Sequence, residues 1–371
     1  MKKTVLILSI LAFFMACKDK KEGVNETNTT NENPTAITTG SQTSDTVIVE
    51  NGDTIQWEDP HKGPNISSDG GSGALASDKA IFQRDNGKYG FRFNLKVGET
   101  YPFLLKTKTT QTLSSEGQTI TMASSRTVDF DYLVEDISNN YRLKATFKNF
   151  SESATGPDGK TISYSTSGAK PTDKEVAQNW AVYNAIKGQS FQMLINDQGK
   201  VLGIIGLDKV RANVLAKLKS EFTVEEQGQL KELLEYSLSN EAISSQFEES
   251  MNIFPDKDIK IGENWEDSQN INEGPLKGNS RVTRVLKSVD TQKATITVNG
   301  VQNVSGSDTR NGITASMKNN ATINGHLDLD VHSGWIKKVS ITKKETIDNS
   351  YSQEGQSYAE TGTQTVETTV N

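Results

Sequence analysis

The chain has 371 residues, 40 Lys and Arg against 47 Asp and Glu, a net charge of −7 and one cysteine. An acidic chain without basic runs suits neither nucleic acid nor anionic lipid, and a lone thiol forms no internal disulfide. Hydrophobic residues make up 33%, below the globular average even with Gly added, and the deficit falls near the N-terminus.

Lys2 and Lys3 give a positive start, and Val5 to Met15 is apolar but for Ser9. A bilayer-spanning helix needs roughly 20 residues, so this run has the length of a signal-peptide core. Ala16 and Cys17 close it. Phe14 argues against an ordinary small-x-small cleavage site, although it also departs from the usual Leu of a lipoprotein signal. The expectation is a signal peptide over 1–16 and lipidation (palmitate and diacylglyceryl) at Cys17. Three fatty chains make anchoring effectively permanent. Loss of Lys2 and Lys3 leaves 38 basic residues and a net charge of −9. Lys18 follows Cys17, so an Asp retention signal is absent and the outer membrane is expected. Asp19 and Glu22 leave its periplasmic and external faces both open.

Residues 17–80 are rich in Asn, Thr, Ser, Gly and Asp. They bury too little apolar surface to offset the entropy of ordering, so a flexible tether is expected, with a short strand within Val47 to Trp57. Asp45-Thr46-Val47 and Asp53-Thr54-Ile55 match an Asp-Ser/Thr-apolar glycosylation pattern, which chance also supplies. His61 falls in the same stretch.

From Phe91 onward the pattern is one of strands and hairpins. Val128 to Val134 and Tyr141 to Phe147 alternate apolar and polar residues about Asn139-Asn140, a turn that suits left-handed Asn. An internal repeat organises the rest. Leu95-Lys96-Val97-Gly98-Glu99-Thr100-Tyr101 returns as Ile259-Lys260-Ile261-Gly262-Glu263-Asn264-Trp265. The closing segments, Leu194 to Leu202 and Leu329 to Lys337, each carry a turn Gly, Gly199 and Gly334. The first unit is the longer, with its excess around Ser151 to Trp180. The expected bounds are a first β repeat over 81–206, a helical insert over 207–255, a second repeat over 256–350, and a C-terminal strand or tail over 351–371.

In the insert, Asp208 is expected to cap Lys209 to Leu218, with Leu207, Val210, Val214 and Leu218 on one face. Thr223 and Glu226 form a capping box before Leu230, Leu233, Leu234 and Leu238 at helical spacing. Ile243, Phe247 and Met251 mark a third helix that Pro255 stops. These stripes are core-packing faces. The fold class expected is mainly β with a helical insert (α+β): two related curved antiparallel sheets or half-barrels, packed against two to three central helices.

Catalytic chemistry is thinly represented. No phosphate loop, zinc spacing or nucleophile elbow occurs. His326, Asp328, Asp330 and His332 share one face of a strand, and two His with two carboxylates suit zinc in kind. Four such positions span roughly 20 Å, however, too far for one ion, so a solvated face opposite Leu327, Leu329 and Val331 is the simpler reading. Asp129 and Asp131 are likewise an exposed face rather than a catalytic pair. Asn196 to Gly199 is a turn too short for a calcium loop. No catalytic residue, metal site or cofactor is expected.

Phe254-Pro255 followed by Ile259 to Trp265 resembles the Phe-Pro…Gly-Asp-x-Trp stretch of an uncharacterised Bacteroidota lipoprotein family, with Glu263 where Asp is common. Lys187-Gly188-Gln189-Ser190-Phe191 through Gly206-Leu207 resembles a second segment of that family. The likeness covers roughly residues 90–347 and implies architecture without an activity. At the level of fold, curved sheets crossed by helices are similar to half-barrel lipoprotein carriers. The function expected is therefore a non-enzymatic, membrane-anchored binding module for an apolar or lipid-like ligand. The alternatives are a structural or adhesive protein with a protein or glycan partner and, less favoured, a hydrolase.

Overall fold

A computed structural model describes residues 78–371 apart from 252, 311, 354 and 355, together with two short paired strands, β1 (Thr46–Ile48) and β2 (Thr54–Gln56). The signal segment, Cys17, Asp45, Asp53 and His61 lie outside the described residues.

The chain continues through β3 (Ile81–Gln83), β4 (Tyr89–Phe91), β5 (Thr100–Ser115), β6 (Gln118–Ile137), β7 (Tyr141–Thr155) and β8 (Thr161–Ser165). Helix α1 (Lys174–Ile186) precedes β9 (Ser190–Ile195) and β10 (Val201–Ile205). Three helices follow: α2 (Leu207–Leu218), α3 (Val224–Ser237) and α4 (Asn240–Met251). The chain ends with β11 (Asn264–Glu273), β12 (Leu276–Val289), β13 (Lys293–Arg310), β14 (Ile313–Asp330), β15 (Ile336–Gln353) and β16 (Gln356–Val370).

The class is mainly β, as the alternation requires, but the two expected sheets are two halves of one. A 12-stranded antiparallel sheet runs in the order β10-β9-β7-β6-β5-β16-β15-β14-β13-β12-β11, with β8 also paired to β7. Strands β5-β6-β7-β9-β10 form one five-stranded meander and β11 to β15 another. The C-terminal segment is a full strand that joins them: β16 registers with β15 from Val339↔Val370 to Gln353↔Gln356, and with β5 from Leu105↔Val370 to Ser115↔Glu360. The sheet stays open between its outer strands β10 and β11. The chain links those strands through α2, α3 and α4, and α4 packs on β10.

The repeat motifs have matching geometry. Gly98 N–H donates to Val134 O at 2.9 Å, and Gly262 N–H to Leu286 O at 2.8 Å. Glu99 N–H and Glu263 N–H donate back to Lys96 O and Lys260 O at 3.1 and 3.0 Å. Leu95 and Ile259 are buried, while Val97 and Ile261 are exposed. In the closing turns Gly199 and Gly334 have φ of +84° and +76°, and each is pressed against backbone: a Cβ would lie 2.9 Å from Met251 O at Gly199 and 2.7 Å from Arg92 O at Gly334. Only Gly satisfies both demands.

The core fills one end of the sheet. Segment 78–97 crosses beneath both closing turns, with Ile81 N–H bonded to Val331 O at 3.0 Å and Phe93 N–H to Asp197 O at 2.7 Å. Aromatic rings knit it together: Phe93–Phe254 centroids are 4.9 Å apart, Tyr101–Trp335 5.2 Å, Tyr132–Trp335 5.5 Å and Tyr132–Phe247 5.6 Å. Such pairs add about 0.5–1.5 kcal/mol each beyond area burial.

Several local expectations change. Helix α2 begins two residues early at Leu207, with left-handed Gly206 as its N-cap, so Asp208 sits in the first turn and does not cap. The Thr223–Glu226 capping box is present, and Ile243, Phe247 and Met251 are buried on α4. The excess around Ser151 to Trp180 holds β8 and the start of α1, which Asp173 caps by accepting from Glu175 N and Val176 N. Asn139-Asn140 does connect β6 to β7, but neither is left-handed; among the described non-Gly residues only Glu116 has positive φ.

Candidate functional site

The long strands extend well beyond the packed end. On β13, exposed Asn299, Val301, Asn303, Ser305 and Ser307 alternate with half-buried Gly300, Gln302, Val304 and Gly306. The half-buried set shares the face of the core residues Ile296 and Val298, because side chains alternate with period two. On that inner face the sheet curls tightly. A Cβ on Gly278, Gly325 or Gly362 would strike the backbone oxygen of Asn303, Ser340 or Thr112 on the adjoining strand. Gly within strands permits such bends.

Register identifies what lines this concave face. Next to the core, one row runs Trp265–Arg284–Val298–Gly325–Ile341–Thr368–Thr107–Arg126–Glu152–Tyr164. Arg284 is ion-paired with Asp267. Tyr164 donates to Glu152 Oε2 at 2.6 Å, Arg126 Nη2 donates to the Tyr183 hydroxyl at 3.3 Å, and burial pushes the Tyr164 phenol far up from its ordinary range. Two rows further out lies Gln269–Ser280–Gln302–Ala321–Glu345–Gln364–Gln111–Met122. The next row is largely apolar, with Ile271, Val304, Ile347, Leu113 and Ile120 around Asn319. Exposed Ile120, Ile162, Ile313, Tyr351 and Tyr358 edge the same face at the hairpin ends.

At the packed end, a cavity of about 10 Å³ lies between α4 and the sheet, lined by residues including Phe103, Tyr132, Phe191 and Phe247. That is room for at most one water and far below the roughly 300 Å³ of a small-molecule pocket.

Of the residues weighed for chemistry, Asp328, Asp330 and Asp131 have structural partners. Strand β14 ends at Asp330, so His332 falls in the turn and the four-residue face is broken. Asp328 is only 8% exposed, not solvated: it accepts from Lys293 Nζ at 2.8 Å and Thr295 Oγ1 at 2.7 Å. Burial alone raises its pKa, but those two hydrogen bonds outweigh burial and hold the carboxyl below its usual range. Asp330 Oδ1 takes the N–H groups of His332 and Ser333 at 2.9 Å each, and Lys337 pairs with Oδ2 at 2.9 Å. Asp131 pairs with Lys148 at 2.8 Å, and Asp129 is pushed up first by burial and then by Asp131. Both are half-buried, not fully exposed. Among the described residues no three His, Cys, Asp or Glu are grouped to hold a metal, and no helix is long and apolar enough to cross a membrane.

A model of DUF6263, a family of unknown function, matches residues 138–336. The chain belongs to that family. The DUF6263 match runs from the β6–β7 turn to the start of β15, taking in the four helices of the described residues. No curated protein matches the chain. Among solved structures it is similar to a mutant Rh. blastica porin, at 9% identity and a TM-score of 0.16, covering 72% of this chain and 100% of that one. A second structure, described as "Asymmetric conductivity of engineered proteins", is similar at 8% identity and a TM-score of 0.15, with the same coverage of both chains. Neither likeness bears on fold or function.

Proposed function

We propose that this DUF6263 chain is a lipid-anchored outer-membrane protein that holds an elongated amphiphilic ligand against the concave face of its sheet and does no chemistry on it. The observation that carries the reading is the inner face of the long strands. Beyond the core it is largely half-buried and mixed in character, while the outer face of the same strands is mostly polar and more exposed. The ligand is amphiphilic rather than simply apolar, because amide, hydroxyl and charged side chains share the face with Ile, Val and Leu. It lies in an open trough rather than a closed pocket, given the tight packing beneath α4.

The anchor rests on the Lys2 to Cys17 pattern and on the likeness of Phe254 to Trp265 to the Bacteroidota lipoprotein motif. Replacing residues 1–17 with an ordinary cleavable secretory signal is expected to move the protein from the membrane fraction to the soluble one. Native mass spectrometry of that soluble variant, purified from its own cells without detergent, tests the ligand. A discrete bound mass that solvent extraction removes is expected; protein free of ligand counts against the reading.

A further inference from the structure

Buried polar groups almost always find a hydrogen-bond partner, and the exceptions ask for an explanation. Four exceptions lie on the concave face: Trp265 Nε1, Arg284 Nε, Asn319 Oδ1 and Asn349 Oδ1 are buried and bond to no protein group. Trp265 and Arg284 stand opposite one another on β11 and β12. Asn319 and Asn349 are diagonal neighbours on β14 and β15, since Asn319 opposes Ile347 and Met317 opposes Asn349. Asn349 is 8% exposed. Between the two pairs lies the row carrying Gln302, Glu345, Gln364 and Gln111. Amide side chains both donate and accept.

The two pairs demand opposite things. The indole and guanidinium N–H groups need acceptors, and the Asn carbonyl oxygens need donors. Measured on β13, the levels run from Val298, opposite Arg284, to Gly306, which faces Met317 and through it Asn349. At 3.4 Å per residue that is about 27 Å. An acyl chain satisfies none of these groups, and an ether chain only accepts. A hydroxyl group does both, and a ring of hydroxyls with an apolar face suits a wall where amides alternate with Ile, Val and Leu.

We infer that the ligand's polar part is a saccharide, held along the concave face by Trp265, Arg284, Asn319, Asn349 and the glutamine row. This rests on the reading of that face as a binding face. The test compares two probes with the same twelve-carbon tail on the full mature chain carrying Cys17→Ala, by calorimetry below their micellar concentrations. Dodecyl maltoside has a hydroxyl-rich head; tetraethylene glycol dodecyl ether has a head of ether oxygens. The maltoside is expected to bind at least about ten-fold more tightly, the worth of one good hydrogen bond in affinity. Equal binding overturns the saccharide inference and leaves the amphiphile reading standing; no binding of either probe overturns both. Asn319→Leu and Asn349→Leu supply a second readout. Each is expected to abolish the preference for the maltoside while leaving the urea midpoint unchanged or higher, since a buried group without a partner is removed. A lower midpoint with the preference intact marks the asparagines as structural and overturns their role.

Discussion

Gly334→Ala probes the way the closing turns are seated. Gly262 and Gly334 both have positive φ, +88° and +76°, so an alanine at either incurs the left-handed strain of about 1–2 kcal/mol. Their surroundings differ. A Cβ at Gly262 meets nothing within 4 Å, whereas at Gly334 it lies 2.7 Å from Arg92 O, 3.2 Å from Phe254 Cζ and 3.3 Å from Ala80 Cβ. Arg92 is itself tied to Ala80 O through its N–H at 3.0 Å, so the backbone must shift. Forced overpacking typically costs a further 1–3 kcal/mol or so. Urea unfolding of the signal-less chain should therefore give a clearly lower midpoint for Gly334→Ala than for Gly262→Ala, with the slope unchanged. Equal midpoints would refute the claim that segment 78–97 is clamped under the turn.

Other outcomes follow from the same structure. Ending the chain after Gln353 removes β16 and with it the ladders that join β15 and β5; the two lost ladders, at about 1 kcal/mol net per hydrogen bond, exceed a typical domain stability of about 5–15 kcal/mol. Circular dichroism should show no cooperative melt, and an unaltered melt would contradict the joining role of β16. Thr223→Ala removes the cap of α3 and should cost about 1 kcal/mol in urea unfolding. Asp328 titrates below its unfolded value of about 3.9, so its contribution is complete above that pH and is lost as pH falls through the lower folded value. Asp328→Asn should lower stability at neutral pH and flatten its decline below about pH 4, as acid titration followed by fluorescence reports.

Local alternation made the strands legible, because one face of each is buried: Val128, Phe130, Tyr132 and Val134 were readable as a core face and are one. The repeat was legible because Gly98, Gly199, Gly262 and Gly334 occupy backbone conformations that only Gly adopts freely. What joins the halves was not. Strand β16 pairs with β5 across more than 200 positions of sequence, and nothing in Gln356 to Val370 names its partner. Helix α1 had a signal, Asp173 followed by Val176, Tyr183 and Ile186, hidden in a stretch whose Ser and Thr suggest loop. The reading of Asp328 as solvated failed because burial there depends on Lys293 and Thr295 from the neighbouring strand. The concave face was out of reach for the same reason: its rows are assembled from eight or more strands, and each contributes one residue.

The concave face can be tested position by position, since Cys17 is the only cysteine and Cys17→Ala leaves a background free of thiols. Gln302 is half-buried on the inner face and its neighbour Asn303 is exposed on the outer one. Single Gln302→Cys and Asn303→Cys variants, labelled with a maleimide with and without dodecyl maltoside, separate the two faces at one point on the sheet. The probe should slow labelling at 302 and leave 303 unchanged; equal slowing at both, or none at either, would contradict binding on the inner face.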